Sequence, residues 1–218
     1  ILNTNNPEIY NNMGNALQDQ GKSCEAIEAY KKCISLTPDY AQAYYNMGTA
    51  LKEQGRFEDS IDIYKKAISL NPSLYQAYNN IGNILQYQSK LNEALDAYKN
   101  AILVKPNHSD SYNNMASALH FQGKFEEATI AYKQSILLNP DYAEAHQNLG
   151  FTLLKNDKIK EGLNEYEWRW KMSKFLPQQR HFPQPKWDGK QSLSSKRFLL
   201  WCEQGVGDTI MWSSCLPL

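Results

Sequence analysis

The sequence predicts an all-α helical solenoid, followed by the truncated start of an α/β, Rossmann-like domain. Three observations point there. Gly14, Gly48, Gly82 and Gly150 stand at multiples of 34 residues, with Ala116 filling the missing step. Pro38, Pro72, Pro106 and Pro140 keep the same period, as do Tyr30, Tyr64, Tyr98, Tyr132 and Tyr166. That period is the signature of a repeated helix–turn–helix unit. The composition then shifts: all 5 Trp lie beyond residue 166, and all 14 Tyr lie at or before it.

Cutting the chain at this period gives a lead-in, 1–6, and five units: 7–40, 41–74, 75–108, 109–142 and 143–176. In the first helix of the first unit, Tyr10, Met13, Gly14 and Leu17 follow the i, i+3, i+4, i+7 pattern of one apolar stripe. Gly or Ala in that stripe lets a neighbouring helix approach closely. A polar turn holding Gly21, Gly55 or Gly123 ends the helix, since glycine accepts the left-handed conformation of a C-terminal cap. The second helix carries Ala26, Tyr30, Cys33 and Ile34 on one stripe, and the proline near the unit's end stops it. No unit can bury its apolar faces alone, so each needs its neighbours. The fifth unit departs from the pattern. Gly162 replaces Ala, Arg169 sits where a small residue belongs, and Lys174 replaces the proline. Its second helix is expected to run on or to cap the stack.

The 218 residues include 23 basic and 23 acidic side chains. Such balance argues against a nucleic-acid or anionic-membrane surface, which needs a basic face. No apolar run is long enough to span a bilayer, and Ile1 to Asn6 lack the features of a signal peptide. Cys24, Cys33, Cys202 and Cys215 form no C-x-x-C pair, and the four His are scattered. A reducing, cytoplasmic setting without metal is expected. The chain begins without Met and stops just after a new element opens, so it is read as a fragment of a longer parent.

Aromatic Tyr44, Gly48, Ala94, Tyr98, Ala101 and Pro106 match the positions of the tetratricopeptide motif, and similar matches recur in all five units. The chain therefore resembles the tetratricopeptide family, which implies a right-handed superhelix that binds proteins or peptides.

On a wheel of 100° per residue, Asn12 falls about 200° from Tyr10, nearly opposite the apolar stripe. Asn46, Asn80, Asn114 and Asn148 repeat that position, while a nearby outward one drifts through Asp19, Glu53, Tyr87, Phe121 and Lys155. Asn is a poor helix former, costing roughly 0.5 kcal/mol against Ala. A carboxamide offers a donor and an acceptor, which suits an extended peptide backbone. The five Asn are thus candidate peptide-binding residues of a concave groove. The alternative is that they are remnants of duplication or bond to the next helix. The ladder resembles the inner surface of O-linked N-acetylglucosamine transferases. Glu8, Gln42, Gln76, Asp110 and Glu144 are acidic or neutral, which disfavours a clamp for a terminal carboxylate.

Residues 177–195, with Pro177, Pro183 and Pro185, read as a linker, and 196–218 as the start of an α/β domain. Arg197 to Cys202 has strand length, Gln204 to Thr209 is a tight turn, and Ile210 to Trp212 opens a helix. Neither a dinucleotide fingerprint nor a P-loop is present, because Ile210 takes the third glycine position and no Gly-Lys-Ser/Thr occurs. The turn, with Gly205 and Gly207, suits an anion or sugar hydroxyl at a helix N-terminus. Taken alone, Asp208 reads first as an ordinary helix cap.

The segments Tyr166 to Trp170, Phe182 to Gly189 and Leu199 to Thr209 resemble bacterial proteins that join tetratricopeptide repeats to a heptosyltransferase-like glycosyltransferase domain. That resemblance implies Asp208 as general base facing an acceptor, and a nucleotide-sugar donor for the parent held by a half not present here. The chain itself is expected to hold no cofactor. Two functions follow: a peptide-binding scaffold recruiting an acceptor for sugar transfer, or a non-catalytic interaction adaptor.

Overall fold

The computed structural model describes residues 6–172. Among them are ten α-helices: α1 (Pro7–Asp19), α2 (Ser23–Leu36), α3 (Ala41–Glu53), α4 (Phe57–Leu70), α5 (Tyr75–Tyr87), α6 (Leu91–Val104), α7 (Ser109–Phe121), α8 (Phe125–Leu138), α9 (Ala143–Lys155) and α10 (Ile159–Tyr166). A short 3-10 segment, Glu167–Lys171, follows α10. The described residues contain no strand. The strand, turn and helix expected over 196–218, the linker 177–195, and the residues Gly205, Gly207 and Asp208 lie outside the described residues. By compactness the chain divides into Ile1–Arg169 and Trp170–Leu218.

Local chemistry sets each boundary. Asn6 caps α1, its side-chain oxygen accepting from the Glu8 amide at 2.9 Å. Each first helix ends in a left-handed residue: Gly21, Gly55 and Gly123 at φ of 73° to 75°, but Ser89 at 61° and Asp157 at 57° in the two units without that glycine. Second helices α2, α4, α6 and α8 each stop two residues before their proline. In the fifth unit α10 has 8 residues against 14 for α8, and the chain tightens into the 3-10 segment instead of continuing. Arg169 there is buried, its guanidinium 4.3 Å over the Tyr166 ring and bonded to the Tyr166 carbonyl at 3.1 Å. The equivalent residues Cys33, Ala67, Ala101 and Ser135 are fully buried, so the cation fills a slot that elsewhere takes a small side chain.

Packing follows from the repeat. The helices of one unit pair first, and each second helix then packs on the first helix of the next unit. The glycine of the apolar stripe makes room for the tyrosine of its own unit: a Cβ at Gly48 would stand 2.8 Å from ring carbons of Tyr64. Tyr30, Tyr64 and Tyr98 are fully buried, and Tyr132 nearly so. One expectation fails at the edge. Met13 belongs to the predicted stripe but is 52% exposed, whereas Met47 and Ile81 at the same position are buried. The stripe needs the preceding unit to cover it, and among the described residues α1 has none.

Candidate binding groove

First helices of successive units touch directly, α1 on α3, α3 on α5, α5 on α7 and α7 on α9, while no comparable contact joins consecutive second helices. The first helices therefore line the inner curve of the stack. This surface is where the candidate Asn residues sit, and the structure shows what holds them.

Asn12 is exposed. The other four are half-buried, and each turns its amide N–H groups back toward the unit before it. Asn46 Nδ2 donates to Asn11 Oδ1 at 2.9 Å and to Asn15 Oδ1 at 3.0 Å. Asn80 Nδ2 donates to the Tyr64 hydroxyl at 3.1 Å, and Asn114 Nδ2 to Asn83 Oδ1 at 3.1 Å and Asn79 Oδ1 at 3.3 Å. Asn148 Nδ2 donates to Asn113 Oδ1 at 3.3 Å. The inter-helix alternative thus describes their donors: these side chains stitch neighbouring units together. A helical wheel sets these residues opposite a single stripe, but a first helix inside a stack is flanked by other first helices on both sides. The partners Asn11, Asn79 and Asn113 escaped the sequence reading. Their signal was the Asn doublet, Asn11-Asn12, Asn79-Asn80 and Asn113-Asn114.

Burial raises the pKa of the Tyr64 and Tyr98 hydroxyls well above the ordinary phenol range, so both stay protonated members of the network. The Tyr98 hydroxyl lies 2.8 Å from Asn83 Oδ1 and 2.9 Å from Gln86 Oε1. Gln86 Nε2 in turn donates to Ser117 Oγ at 2.9 Å. Lys52 reaches Asn80 Oδ1 at 3.4 Å, and burial lowers its pKa against the opposing pull of Glu53.

Where α5, α7 and α9 come together, the inner surface opens into a cleft of about 680 Å³. Its floor is the polar network of Asn83, Gln86, Asn113, Asn114, Ser117 and Asn148; its walls include Tyr87, Phe121 and Glu144. Two of the five candidate residues, Asn114 and Asn148, thus meet in one site. Among the described residues no group of three or more His, Cys, Asp or Glu is placed to hold a metal ion, and Cys24 and Cys33 are free thiols. Among those residues no helix is long and apolar enough to cross a membrane.

Comparison with known proteins agrees with this architecture. A family profile described as "Tetratricopeptide repeat" matches residues 6–73 and 73–136, and a second, "TPR repeat", matches 117–157. No curated protein sequence matches the chain. Solved structures with the same fold include MamA, at 22% identity and TM-score 0.67, covering 82% of this chain and 98% of that one. MamA from Desulfovibrio magneticus RS-1 is similar at 20% identity and TM-score 0.69, covering 80% and 98%. YrrB, described as "a TPR protein with an unusual peptide-binding site", shows 20% identity and TM-score 0.63, covering 79% and 89%. At these identities the likeness speaks for the fold alone. The repeat period, the paired helices and the profile matches over most of the chain agree: this chain belongs to the tetratricopeptide repeat family.

Proposed function

We propose that this chain is a protein-binding scaffold that takes an extended peptide into the groove lined by its first helices. The observation that carries the reading is the cleft between α5, α7 and α9, where three successive units offer side chains to one ligand. Its volume falls in the range of ordinary ligand pockets, roughly 300–1,000 Å³. Asn114 and Asn148 line it, so they can meet a peptide with their remaining hydrogen-bonding capacity while their donors tie the units together; Asn12, Asn46 and Asn80 extend the same surface. The test is a peptide titration followed by backbone amide resonances. Shifts confined to α5, α7 and α9 support the groove; shifts confined to the second helices overturn it.

We further propose that the groove recruits an acceptor for a heptosyltransferase-like domain that begins near residue 196. In that reading the Gly205–Gly207 turn faces the acceptor, Asp208 is the general base, and a nucleotide sugar is the donor to the parent. Support comes from the residue pattern between Tyr166 and Thr209. Sugar transfer by the full-length parent, lost on Asp208→Ala, agrees with it. A parent that binds nucleotide sugars no better than buffer ions favours the non-catalytic adaptor.

A further inference from the structure

We propose that the cleft between α5, α7 and α9 selects an extended peptide carrying one aromatic side chain and one Lys or Arg about five residues apart. This rests on the groove reading above and adds the chemistry of the partner.

The first observation is the pair Tyr87 and Phe121. They are the last residues of α5 and α7, 75% and 67% exposed, and both line the cleft. In the other units the same position carries Asp19, Glu53 and Lys155. Two exposed aromatic rings on adjacent units, at a position otherwise charged, are costly in water and mark a contact surface. Tyr87 is held in place from behind, its ring 5.0 Å from that of Phe57. Ser117, one turn before Phe121 on the same helix face, is small and leaves room beside the ring. An aromatic or bulky aliphatic side chain fits between such walls.

The floor contributes little selectivity of its own. Its amides and hydroxyls are engaged with one another, through Tyr98, Asn83, Gln86 and Ser117. What remains is charge. Glu144, exposed at the start of α9, is the one charged residue lining the cleft. On the neighbouring unit Asp110 occupies the same position; burial first, then the charges of Asp110 and Glu144 and a hydrogen bond to Asp110, raise the pKa of Tyr142. Lys155 lies at the opposite end of α9. The acidic end of the cleft therefore calls for a cation.

The spacing follows from helix geometry. The position of Glu144 precedes that of Phe121 by eleven residues within a unit, as Asp110 does in α7 itself. At 1.5 Å per residue this separates the acidic end from the aromatic walls by about 16 Å along the helix direction. An extended peptide covers that length in about five residues.

The test uses the whole chain and fluorescein-labelled synthetic peptides, eight residues long, read by polarisation. The matched peptide has Trp and Lys five positions apart in a Ser/Ala background. Its counterparts replace Lys by Glu, replace Trp by Ala, or bring the two to adjacent positions. We expect the matched peptide to bind at least tenfold more tightly than each counterpart. Phe121→Ala should remove the Trp preference, and Glu144→Lys should invert the Lys/Glu preference. Circular dichroism shows whether each variant keeps its helices; if Phe121→Ala does not, Tyr87→Ala replaces it. Equal binding of all four peptides, preference for the Glu peptide, or no binding of the matched peptide at millimolar concentration overturns the proposal. Resonance shifts on α5, α7 and α9 without these preferences would leave the groove standing and remove only its selectivity; no shift there would remove both.

Discussion

His146 lies flat against Trp168, ring centroids 3.7 Å apart and planes within 1° of parallel. Its Nδ1 meets Glu165 Oε2 at 2.5 Å and its Nε2 the Pro140 carbonyl at 3.0 Å, so both ring nitrogens are held. The corresponding residue is Tyr10, Tyr44, Tyr78 or Tyr112 in the other units. The fifth unit has thus exchanged the repeat's usual aromatic for an imidazole that anchors the shortened second helix and the 3-10 segment after it. Trp168 thus has His146 as a partner within its own unit, while Phe182 to Trp187, which the sequence offers as a packing surface for Trp168 and Trp170, lie outside the described residues.

Trp168→Ala should therefore loosen the last unit by about 2 kcal/mol, less than a fully buried Trp because Trp168 is half-buried. Repeats couple only to their neighbours, so amide exchange should quicken in α9 and α10 and stay unchanged in α1 to α4. Uniform acceleration along the chain would show that the stack unfolds as one body.

The inter-unit bonds predict a graded Asn series. Asn46→Ala removes donors to Asn11 and Asn15, and Asn114→Ala removes donors to Asn79 and Asn83, which keep Ser111 and Tyr98; each change should cost about 1 kcal/mol. Asn12→Ala, at an exposed site, should be neutral or slightly stabilising because Ala is the better helix former. Thermal melts of the three variants check the ranking, and equal melting temperatures would return the Asn ladder to a purely ligand-facing role.

Two glycine positions should respond to Ala for different reasons. At Gly48 the new methyl would press on the Tyr64 ring, which can shift, and about 1–3 kcal/mol of overpacking is expected. At Gly150 it would stand 2.8 Å from the Tyr166 amide nitrogen and 2.9 Å from the Gly162 carbonyl, both backbone, so α9 and α10 must separate. Denaturation monitored by circular dichroism should rank Gly150→Ala well below Gly48→Ala.

In the turns conformation, not space, sets the cost. A Cβ at Gly55 would meet nothing within 4 Å, yet its φ of 73° is unfavourable for an L residue. Gly55→Ala should cost about 1 kcal/mol, and Ser89→Gly, at φ 61°, should recover a comparable amount. A stabilised Gly55→Ala would contradict this assignment.

Acid should weaken the fold through His108 and His120. Burial lowers the pKa of both below the ordinary value of 6.5; at His120 the charge of Lys155 adds to this, and at His108 Asp110 opposes it while Lys105 adds. The unfolded chain then takes up protons near pH 6.5 that the folded chain refuses until lower pH. Between those values the unfolded state binds more protons, so stability falls as pH drops below about 6.5. His120 Nδ1 lies 2.9 Å from Thr152 Oγ1, and its ring packs edge-on against Phe125. His120→Gln should flatten the decline in melting temperature between pH 7 and 5; an unchanged slope would move the effect elsewhere.

The helices were legible in the chain because Gly14, Tyr30 and Pro38 recur at one period, and each has a single physical job: close approach, filling and stopping. The roles of the Asn residues were less so. A wheel drawn around one stripe treats a helix as having one neighbour, whereas α3 packs on α1, α2, α4 and α5. Its far side is another interface, and Asn46 lies in it. The cleft was legible only in outline. Tyr87 and Phe121 showed as drift at one repeat position, but that they wall the same cavity depends on how α5 and α7 are set side by side.

The carboxamide seam also has mechanical meaning. Consecutive units are tied along the inner edge, and their second helices have no comparable direct tie. Each second helix also packs on the first helix of the next unit, so the outer rim, where consecutive second helices lack such a tie, is the side that is free to open. Pulling on the ends of the stack opens the outer rim first and leaves the inner seam at nearly constant length. A peptide bound across the seam would rest on the least extensible line of the molecule, keeping its footing while the outer rim flexes.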